Sequence, residues 1–417
     1  MTAVNAPRDK YNAVWIIFFI LGLGTLLPWN FFMTATMYFT NRLKDPAVEG
    51  SAILTANATV VEGDTRSVLE SKFNNVMTLC AMVPLLIFTC LNSFIHQRIP
   101  QNWRIAGCLS VILVVFLLTA VLVKVDMGPL PFFSLTIIKI ICINSFGAVL
   151  QGSLFGLAAM LPASYTTPIM SGQGFAGTFA AFSMICALAS GSALQDSAFG
   201  YFITACVVIF LAILSYLALP SMEFFQYYLE SNGSKQGTCT KTISIKWSSQ
   251  MRTFVVGPKT THFCCTYFVL FTVDVRSTMA DGGAWDTYFI PVSCFLLFNV
   301  MDWAGRSLTA VCMWPGKDSV ILPVMVGLRV VFVPLFMLCN VQPRNNLPVL
   351  FAHDAWYIVF IILFSFSNGY LASLCMCFGP KKVAQCEAET AGTIMAFFLS
   401  LGLALGAALS FVFRIII

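Results

Sequence analysis

One stretch of the chain places a carboxylate and a guanidinium inside an otherwise apolar segment. Four of its polar or aromatic side chains are spaced by 4, 3 and 4 residues, namely Phe295, Asn299, Asp302 and Arg306. A helix brings these spacings to one face, where opposite charges one turn apart can neutralise each other. Charged groups within a membrane usually face a bundle interior or a water-filled path. The face is therefore predicted to bind or gate a substrate; a helix-locking pair and a snorkelling Arg306 are the alternatives.

A second polar stripe lies between residues 144 and 153. Asn144, Gly147 and Gln151 follow one another at spacings of 3 and 4, and Ser153 is nearby. A glutamine amide offers a donor and an acceptor together, which suits the edge of a nucleobase. Hydrogen bonding between neighbouring helices explains the same residues equally well. The stripe alone leaves both interpretations open.

The first apolar segment can supply a wall for a planar ligand. Pro28 can kink its helix while neighbouring groups satisfy the freed carbonyl. The ring of Trp29 offers a stacking or apolar surface. Other residues at helical spacing can shape that surface, namely Leu26 and Met33 in this segment and Met82 and Leu85 in the next. Ordinary core packing is the alternative for all of them.

Other chemical signatures in the sequence are weak. Residues 172–177 spell G-x-G-x-x-G, but no strand precedes them, so close helix contacts explain them better than a dinucleotide site. The three histidines are scattered, and the close cysteine pairs lack the spacing of a zinc site. Basic residues are not clustered with aromatic ones as on a nucleic-acid surface. We predict no enzyme activity, catalytic residue, metal, cofactor or nucleic-acid partner.

Composition places these residues in a membrane. The chain has 417 residues, 58% apolar and 10% charged, whereas soluble domains carry about a quarter charged residues. Most of it is therefore predicted to lie in a lipid bilayer, and Lys139 and Arg329, near span ends, are expected to snorkel. The segment at 261–273 is short of a full crossing. Apolar runs define eleven candidate spans: 12–38, 73–95, 104–123, 131–160, 169–192, 199–220, 261–273, 287–311, 319–340, 351–378 and 390–414.

The distribution of basic residues predicts an orientation. Lysines and arginines of the short loops fall on one side if all eleven spans cross, and that side is predicted to be the cytosol. The N-terminus is then cytosolic and the C-terminus extracellular, and a glycan is expected on Asn57 in the extracellular loop 39–72. This division predicts a six-helix bundle at 1–220, a cytosolic linker at 221–260 and a five-helix bundle at 261–417.

The sequence resembles a known family at these places. The strings F-N-x-x-D-W-x-G-R at 298–306 and P-W-N-F-F at 28–32 are similar to those of the equilibrative nucleoside transporters, in particular the vertebrate type 1 plasma-membrane branch. The resemblance implies an all-α membrane fold of eleven helices, six plus five, distantly like the major facilitator fold. It also implies sodium-independent transport of purine and pyrimidine nucleosides down their gradient. The matching stretches are 21–40, 73–82, 144–157, 168–174, 288–317, 368–383 and 387–406.

The resemblance further implies substrate contacts for individual residues. Gln151 matches a glutamine that recognises the base. Asp302 and Arg306 match a pair near the ribose, and Asn299 lines the same cavity. The implied mechanism is alternating access, with the two bundles rocking around that cavity. Apolar wall positions are matched by Leu26, Trp29, Met33, Met82, Leu85 and Leu403.

Three small residues match positions where the family is sensitive to change. Gly147 and Ser153 match positions associated with sensitivity to inhibitors, and nucleoside-analogue inhibitors are therefore expected partners. Gly172 matches a glycine that is important for transport.

The resemblance is interrupted between about residues 233 and 271. Family members have a variable loop there and a complete seventh helix, whereas this chain has only the apolar residues 261–273. Either a splice or gene-model variant has a damaged helix, or upstream residues such as 254–257 extend it; we favour the damaged helix. Nucleoside transport is the predicted function, and a non-transporting variant of such a carrier is the alternative.

Overall fold

The computed structural model describes most of the chain. The described residues are 7–44, 68–96, 98–239, 275–279, 283–342, 344, 347–384 and 387–417. The predicted short span at 261–273 and the Asn57 sequon lie outside them.

The described residues are nearly all helical. π-helical turns at Trp103–Gly107 and Ile290–Leu296 lead directly into the helices that begin at Cys108 and Leu297. The helices are α1 (Ala13–Thr34), α2 (Thr36–Arg42), α3 (Val68–Ile95), α4 (Cys108–Val123), α5 (Pro129–Ala159), α6 (Thr166–Ser190), α7 (Leu194–Ala218), α8 (Glu223–Cys239), α9 (Ala284–Phe289), α10 (Leu297–Leu308), α11 (Ile321–Leu328), α12 (Phe332–Met337), α13 (Asp354–Phe378) and α14 (Ala388–Ile416).

Nine helical segments of the described residues are long and apolar enough to cross a membrane. A shorter apolar segment, Ile321–Met337, coincides with the predicted span at 319–340. The prediction of a polytopic all-α protein is confirmed, whereas the count of eleven spans stays a prediction. The G-x-G-x-x-G string lies inside α6, so it does not form a nucleotide-binding loop between a strand and a helix.

Glycines allow two pairs of helices to approach closely. A Cβ added to Gly172 of α6 would lie 2.2 Å from the carbonyl oxygen of Phe19, which places the backbone of α6 directly on α1. In the same way, a Cβ on Gly369 of α13 would lie 2.0 Å from the carbonyl oxygen of Asp302 in α10. Any larger side chain would separate these helices, because non-bonded carbon and oxygen atoms do not approach so closely.

Hydrogen bonds join the N-terminal half (7–239) to the C-terminal half (275–417) at one end of the bundle. We call this end, where α1 begins, the amino end. Arg104 Nη2 donates to Glu389 Oε1 over 2.8 Å. Lys381 Nζ donates to the carbonyl oxygens of Ala159, the last residue of α5, and of Leu161 just beyond it. A cation at the carboxyl end of a helix also interacts favourably with the helix dipole.

Ion pairs at the opposite end stay within one half. Arg42 Nη1 lies 2.8 Å from Asp126 Oδ1, and Lys124 Nζ lies 2.8 Å from Asp196 Oδ1. In the C-terminal half, the Asp354 carboxylate accepts a hydrogen bond of 2.5 Å from the Ser277 hydroxyl. These contacts fix the loops of each half without tying one half to the other.

Candidate functional site

Asp302 and Arg306 form an ion pair along one face of α10. Arg306 Nε donates to Asp302 Oδ2 over 2.6 Å, and the side chains are 16% and 6% exposed, respectively. In the described part of the chain, Arg306 makes no other side-chain hydrogen bond. A guanidinium carries five N–H donors. The two terminal nitrogens of Arg306 therefore have no partner among the described residues, while the pair itself has the i,i+4 geometry that also stabilises a helix.

Helix α6 packs against this polar face of α10 through its glycines. A Cβ on Gly177 would lie 2.0 Å from Asn299 Oδ1, and one on Gly174 would lie 2.9 Å from Arg306 Cδ. Asn299 donates through Nδ2 to the carbonyl oxygen of Phe295 over 2.8 Å. Asn299 and Arg306, two polar residues of the predicted span at 287–311, thus lie in a contact between the N-terminal and C-terminal halves.

Two polar residues that the sequence did not assign to the site extend the network of the ion pair, Asn368 directly and Arg329 through Asn368. Asn368 of α13 donates through Nδ2 to Asp302 Oδ1 over 2.7 Å, and Arg329 Nη2 donates to Asn368 Oδ1 over 2.9 Å. Arg329 is only 3% exposed, so the prediction that it snorkels is wrong: it lies between α11 and α12 and turns toward α13. Lys139 is also buried inside the protein, at 7% exposure, rather than extended to its surface.

The sequence contains a weak signal for both residues. Asn368 is an amide within an apolar span, and Arg329 is a charge within another, and each is costly in a membrane unless it has a polar partner. Their spacing along the chain does not indicate which partner, because that depends on how α11, α12 and α13 pack together. The resemblance includes Asn368 only as the first residue of the stretch at 368–383.

Gln151 differs from its neighbours on α5. It is partly exposed, and its amide makes no hydrogen bond to another described residue. Asn144, two stripe positions away, is buried and donates one of its amide hydrogens to the carbonyl oxygen of Ile140 in its own helix over 2.9 Å. Gln151 is therefore the member of the predicted stripe whose amide can meet a ligand.

The three small residues predicted to affect inhibitors or transport have different surroundings. Ser153 is fully buried, and its hydroxyl accepts a hydrogen bond of 3.1 Å from Arg104 Nη1, which also binds Glu389 at the amino end. Gly147 has no atom within 4 Å of an added Cβ. Gly172 is the contact between α6 and α1 described above. Of the three, only Ser153 is hydrogen-bonded to a residue, Arg104, that contacts the C-terminal half.

His96 lies beside the ion pair of the amino end. Its Nε2 lies 3.1 Å from the Thr390 hydroxyl of α14. Burial is the main cause that lowers the pKa of His96 from its usual value, although the Glu389 carboxylate opposes that shift. The ring is therefore neutral at pH 7, and it adds a hydrogen bond between the halves rather than a charge.

The predicted apolar wall is partly accessible. Met33 is 41% exposed, and the ring of Trp29 stacks on Phe32 with the centroids 5.9 Å apart. Helices α3, α5 and α14 pack against one another, and they carry Met82, Gln151 and Leu403. The wall residues of intermediate exposure are Leu26, Trp29, Met82, Leu85 and Leu403.

No group of three or more His, Cys, Asp or Glu side chains in the described ranges is arranged to hold a metal ion. The donors and acceptors around the ion pair are instead the amide of Asn368, the guanidinium groups of Arg306 and Arg329, and the carboxylate of Asp302. Such groups bind a neutral polar molecule through hydrogen bonds.

Comparison with known proteins gives the same family along most of the chain. The profile of the nucleoside transporter family matches residues 137–262 and 251–415. Its two stretches meet at 251–262, within the segment where the resemblance is interrupted. Equilibrative nucleoside transporter 1 of Homo sapiens is 56% identical over 458 residues, with 100% of both chains covered. Equilibrative nucleoside transporter 2 of Homo sapiens is 45% identical, with 99% of both chains covered.

Solved structures with a similar fold are transporters of the major facilitator type. The proton:xylose symporter XylE, bound to 6-bromo-6-deoxy-D-glucose, aligns with a TM-score of 0.58 at 13% identity, over 96% of this chain and 88% of XylE. The human organic anion transporter MFSD10 aligns with a TM-score of 0.56 at 13% identity, over 98% and 94%. At this identity the likeness concerns the fold alone. Because the family profile and the full-length relatives agree, the chain belongs to the equilibrative nucleoside transporter family.

Proposed function

We propose that this chain carries purine and pyrimidine nucleosides across the plasma membrane by sodium-independent facilitated diffusion. The observation that carries the proposal is the buried pair of Asp302 and Arg306, whose guanidinium keeps its terminal nitrogens free for a ligand among the described residues. A ribose offers hydroxyl groups that donate to a carboxylate and accept from a guanidinium. A bare nucleobase would leave the terminal nitrogens of Arg306 without hydrogen-bond acceptors, so the proposed site disfavours it.

Gln151 is proposed to recognise the base. Its amide offers one acceptor and two donors, which suits the edge of either a purine or a pyrimidine. Trp29 and the other wall residues provide partly exposed apolar surface for the flat ring. Asn299, whose Oδ1 faces Gly177 of α6, lies where the two halves meet and lines the same path.

Alternating access is the proposed mechanism. The halves are joined at the amino end by Arg104 with Glu389 and by Lys381 with the carbonyls after α5. At the opposite end, the ion pairs of Arg42 and Lys124 lie inside one half. This asymmetry supports a conformation closed at the amino end, and transport requires that the amino-end contacts break while the opposite end closes.

The proposed orientation follows the charge distribution. It places the N-terminus in the cytosol and the C-terminus outside the cell, with a glycan on Asn57. Nucleoside-analogue inhibitors are expected to compete for the same path. The protein is proposed to catalyse no reaction.

The carrier is favoured over a non-transporting variant. Relatives named as transporters match at 56% and 45% identity, with 100% and 99% of both chains covered, which supports the carrier. The ion pair of α10 is also hydrogen-bonded to the Asn368 amide of α13, which supports an intact polar site in the C-terminal half.

Uptake by proteoliposomes tests the proposal. Purified protein is reconstituted, and labelled uridine is supplied without an ion gradient. We expect the inside concentration to rise until it equals the outside concentration. Accumulation above that level would contradict facilitated diffusion, and failure of uridine to enter, with the protein correctly folded, would favour the non-transporting variant.

A further inference from the structure

Arg329 occupies a buried position that the substrate contacts alone do not explain. It lies in the short 3₁₀ turn between α11 and α12 and is 3% exposed. Its guanidinium carbon lies 4.6 Å from the centroid of the Phe364 ring, a cation–π contact with α13. Its Nη2 then reaches Asn368 Oδ1, one turn further along α13, over 2.9 Å. Two contacts on one helix therefore fix the guanidinium.

The hydrogen bond from Arg329 fixes the orientation of the Asn368 amide. An asparagine amide has an oxygen at one end and an NH₂ group at the other, and rotation exchanges them. A guanidinium can only donate, so the oxygen of Asn368 must face Arg329. The NH₂ group is then directed at Asp302 Oδ1, 2.7 Å away. If the amide were flipped, its NH₂ group would face the donors of Arg329 and its oxygen would face the carboxylate oxygen of Asp302. Both contacts would be unfavourable.

Asp302 is in turn fixed at both carboxylate oxygens. Asn368 donates to Oδ1, and Arg306 donates to Oδ2 over 2.6 Å. The close contact of Gly369 with the carbonyl of Asp302 holds α13 against α10, so the distance from Asn368 to the carboxylate has little freedom. With rotation prevented, the remaining lone pairs of the carboxylate point in fixed directions.

We propose that Arg329 is a positioning residue for ribose recognition, acting through Asn368 on the carboxylate of Asp302. The inference rests on the proposed function, because it assigns a purpose to the orientation of a carboxylate that meets ribose hydroxyls. A guanidinium that does not touch the substrate thereby sets how strongly the carrier prefers nucleosides with both ribose hydroxyls.

The test compares uptake of uridine and 2′,3′-dideoxyuridine by proteoliposomes. In Arg329→Gln the new amide can accept as well as donate, so the orientation of Asn368 is no longer imposed. We expect its ratio of kcat/KM for uridine to that for dideoxyuridine to fall about tenfold. Arg329→Lys still presents donors only, and we expect it to keep most of the preference.

A packing defect on the same segment is the matched control. Val326 of α11 is fully buried and contacts the core rather than the polar network. Val326→Ala is expected to lower the amount of folded protein but to leave the substrate ratio unchanged. A merely structural role of Arg329 would give that same pattern in Arg329→Gln, and would overturn the inference. Loss of the preference in Arg329→Lys to the same extent as in Arg329→Gln would also overturn it.

Two further variants keep the result unambiguous. If Arg329→Gln does not fold, Asn368→Asp tests the same step, because a carboxylate there still accepts from Arg329 but can no longer donate to Asp302. We expect it to lose the preference, and an unchanged ratio would refute the inference. Asp302→Asn separates the two proposals. If Asp302→Asn keeps the preference for uridine, the proposed ribose contact is refuted. If Asp302→Asn loses the preference while Arg329→Gln and Asn368→Asp keep it, only the positioning role of Arg329 is refuted.

Discussion

The two halves of the molecule present different chemistry at the proposed nucleoside site. In the C-terminal half, Asp302, Arg306, Asn368 and Arg329 form one continuous set of charged and amide groups, each held by a neighbour. In the N-terminal half, Gln151 is neutral and without a hydrogen bond among the described residues, beside a partly exposed apolar wall. Ribose is common to all substrates, whereas the base varies. A fixed network suits the constant part, and one free amide beside apolar surface suits the variable part.

Removal of Arg306 from the C-terminal half should reduce transport more than any other single change. Arg306→Ala removes the partner of the Asp302 carboxylate and the donors proposed to meet the ribose, and a hydrogen bond to a charged group is worth about 1.5–3 kcal/mol. We expect adenosine and uridine uptake to fall roughly a hundredfold while the protein still reaches the cell surface. Initial uptake rates, divided by the amount of surface protein, measure this.

The matched control for that change is Arg42→Ala. It breaks an ion pair with Asp126 at the opposite end, where the carboxylate side chain is 95% exposed. Exposed pairs contribute only about 0–1 kcal/mol, so uptake should stay within about twofold. Unchanged uptake in Arg306→Ala would remove the central role assigned to this guanidinium.

A change in backbone spacing should have the next largest effect. In Gly369→Ala the new methyl group would lie 2.0 Å from the carbonyl oxygen of Asp302, which forces α13 away from α10. Overpacking of this kind costs about 1–3 kcal/mol, so we expect a lower Tm and about tenfold slower uptake. Gly327→Ala, with open space around the added Cβ, is the control and should change neither. Equal behaviour of the two variants would show that the contact of α10 with α13 is not needed.

Substitutions in the N-terminal half, where Gln151 is neutral, should reduce transport less. Gln151→Leu removes one hydrogen bond to the base, about 1 kcal/mol, so we expect uptake to fall only about fivefold. Asn144→Leu is its control, because Asn144 already donates to its own helix, and it should have less than half of that effect. A larger loss in Asn144→Leu than in Gln151→Leu would reverse the assignment within the stripe. Competition between labelled uridine and unlabelled adenosine reports the change in base preference.

Sequence reasoning was most successful along single helices. Spacing alone placed Asp302 and Arg306 on one face, because the 3.6-residue period operates within one element. It missed Arg329 and Asn368 because their partners lie on other helices, and nothing in the local pattern states which faces meet. It also interpreted Arg329 as a snorkelling residue from its distance to a span end, although packing of α11 and α12 against α13 buries it.

Glycines illustrate the same limit. The string at 172–177 was interpreted correctly as a site of close helix contact, because small residues are typical of such contacts. The sequence could not tell that Gly172 faces α1 while Gly174 and Gly177 face α10. Those assignments require the rotation of α6 between two neighbours, which tertiary packing determines.

Equilibrium binding to purified protein tests the division between the halves most directly. The measurement compares the Kd of uridine with that of 2′,3′-dideoxyuridine in Asp302→Asn and in Gln151→Leu, so that a loss of transport does not hide the result. The account predicts that Asp302→Asn loses the preference for uridine, whereas Gln151→Leu binds both compounds more weakly by the same factor and keeps that preference. An Asp302→Asn variant that still prefers uridine, or a Gln151→Leu variant that loses this preference, would contradict it.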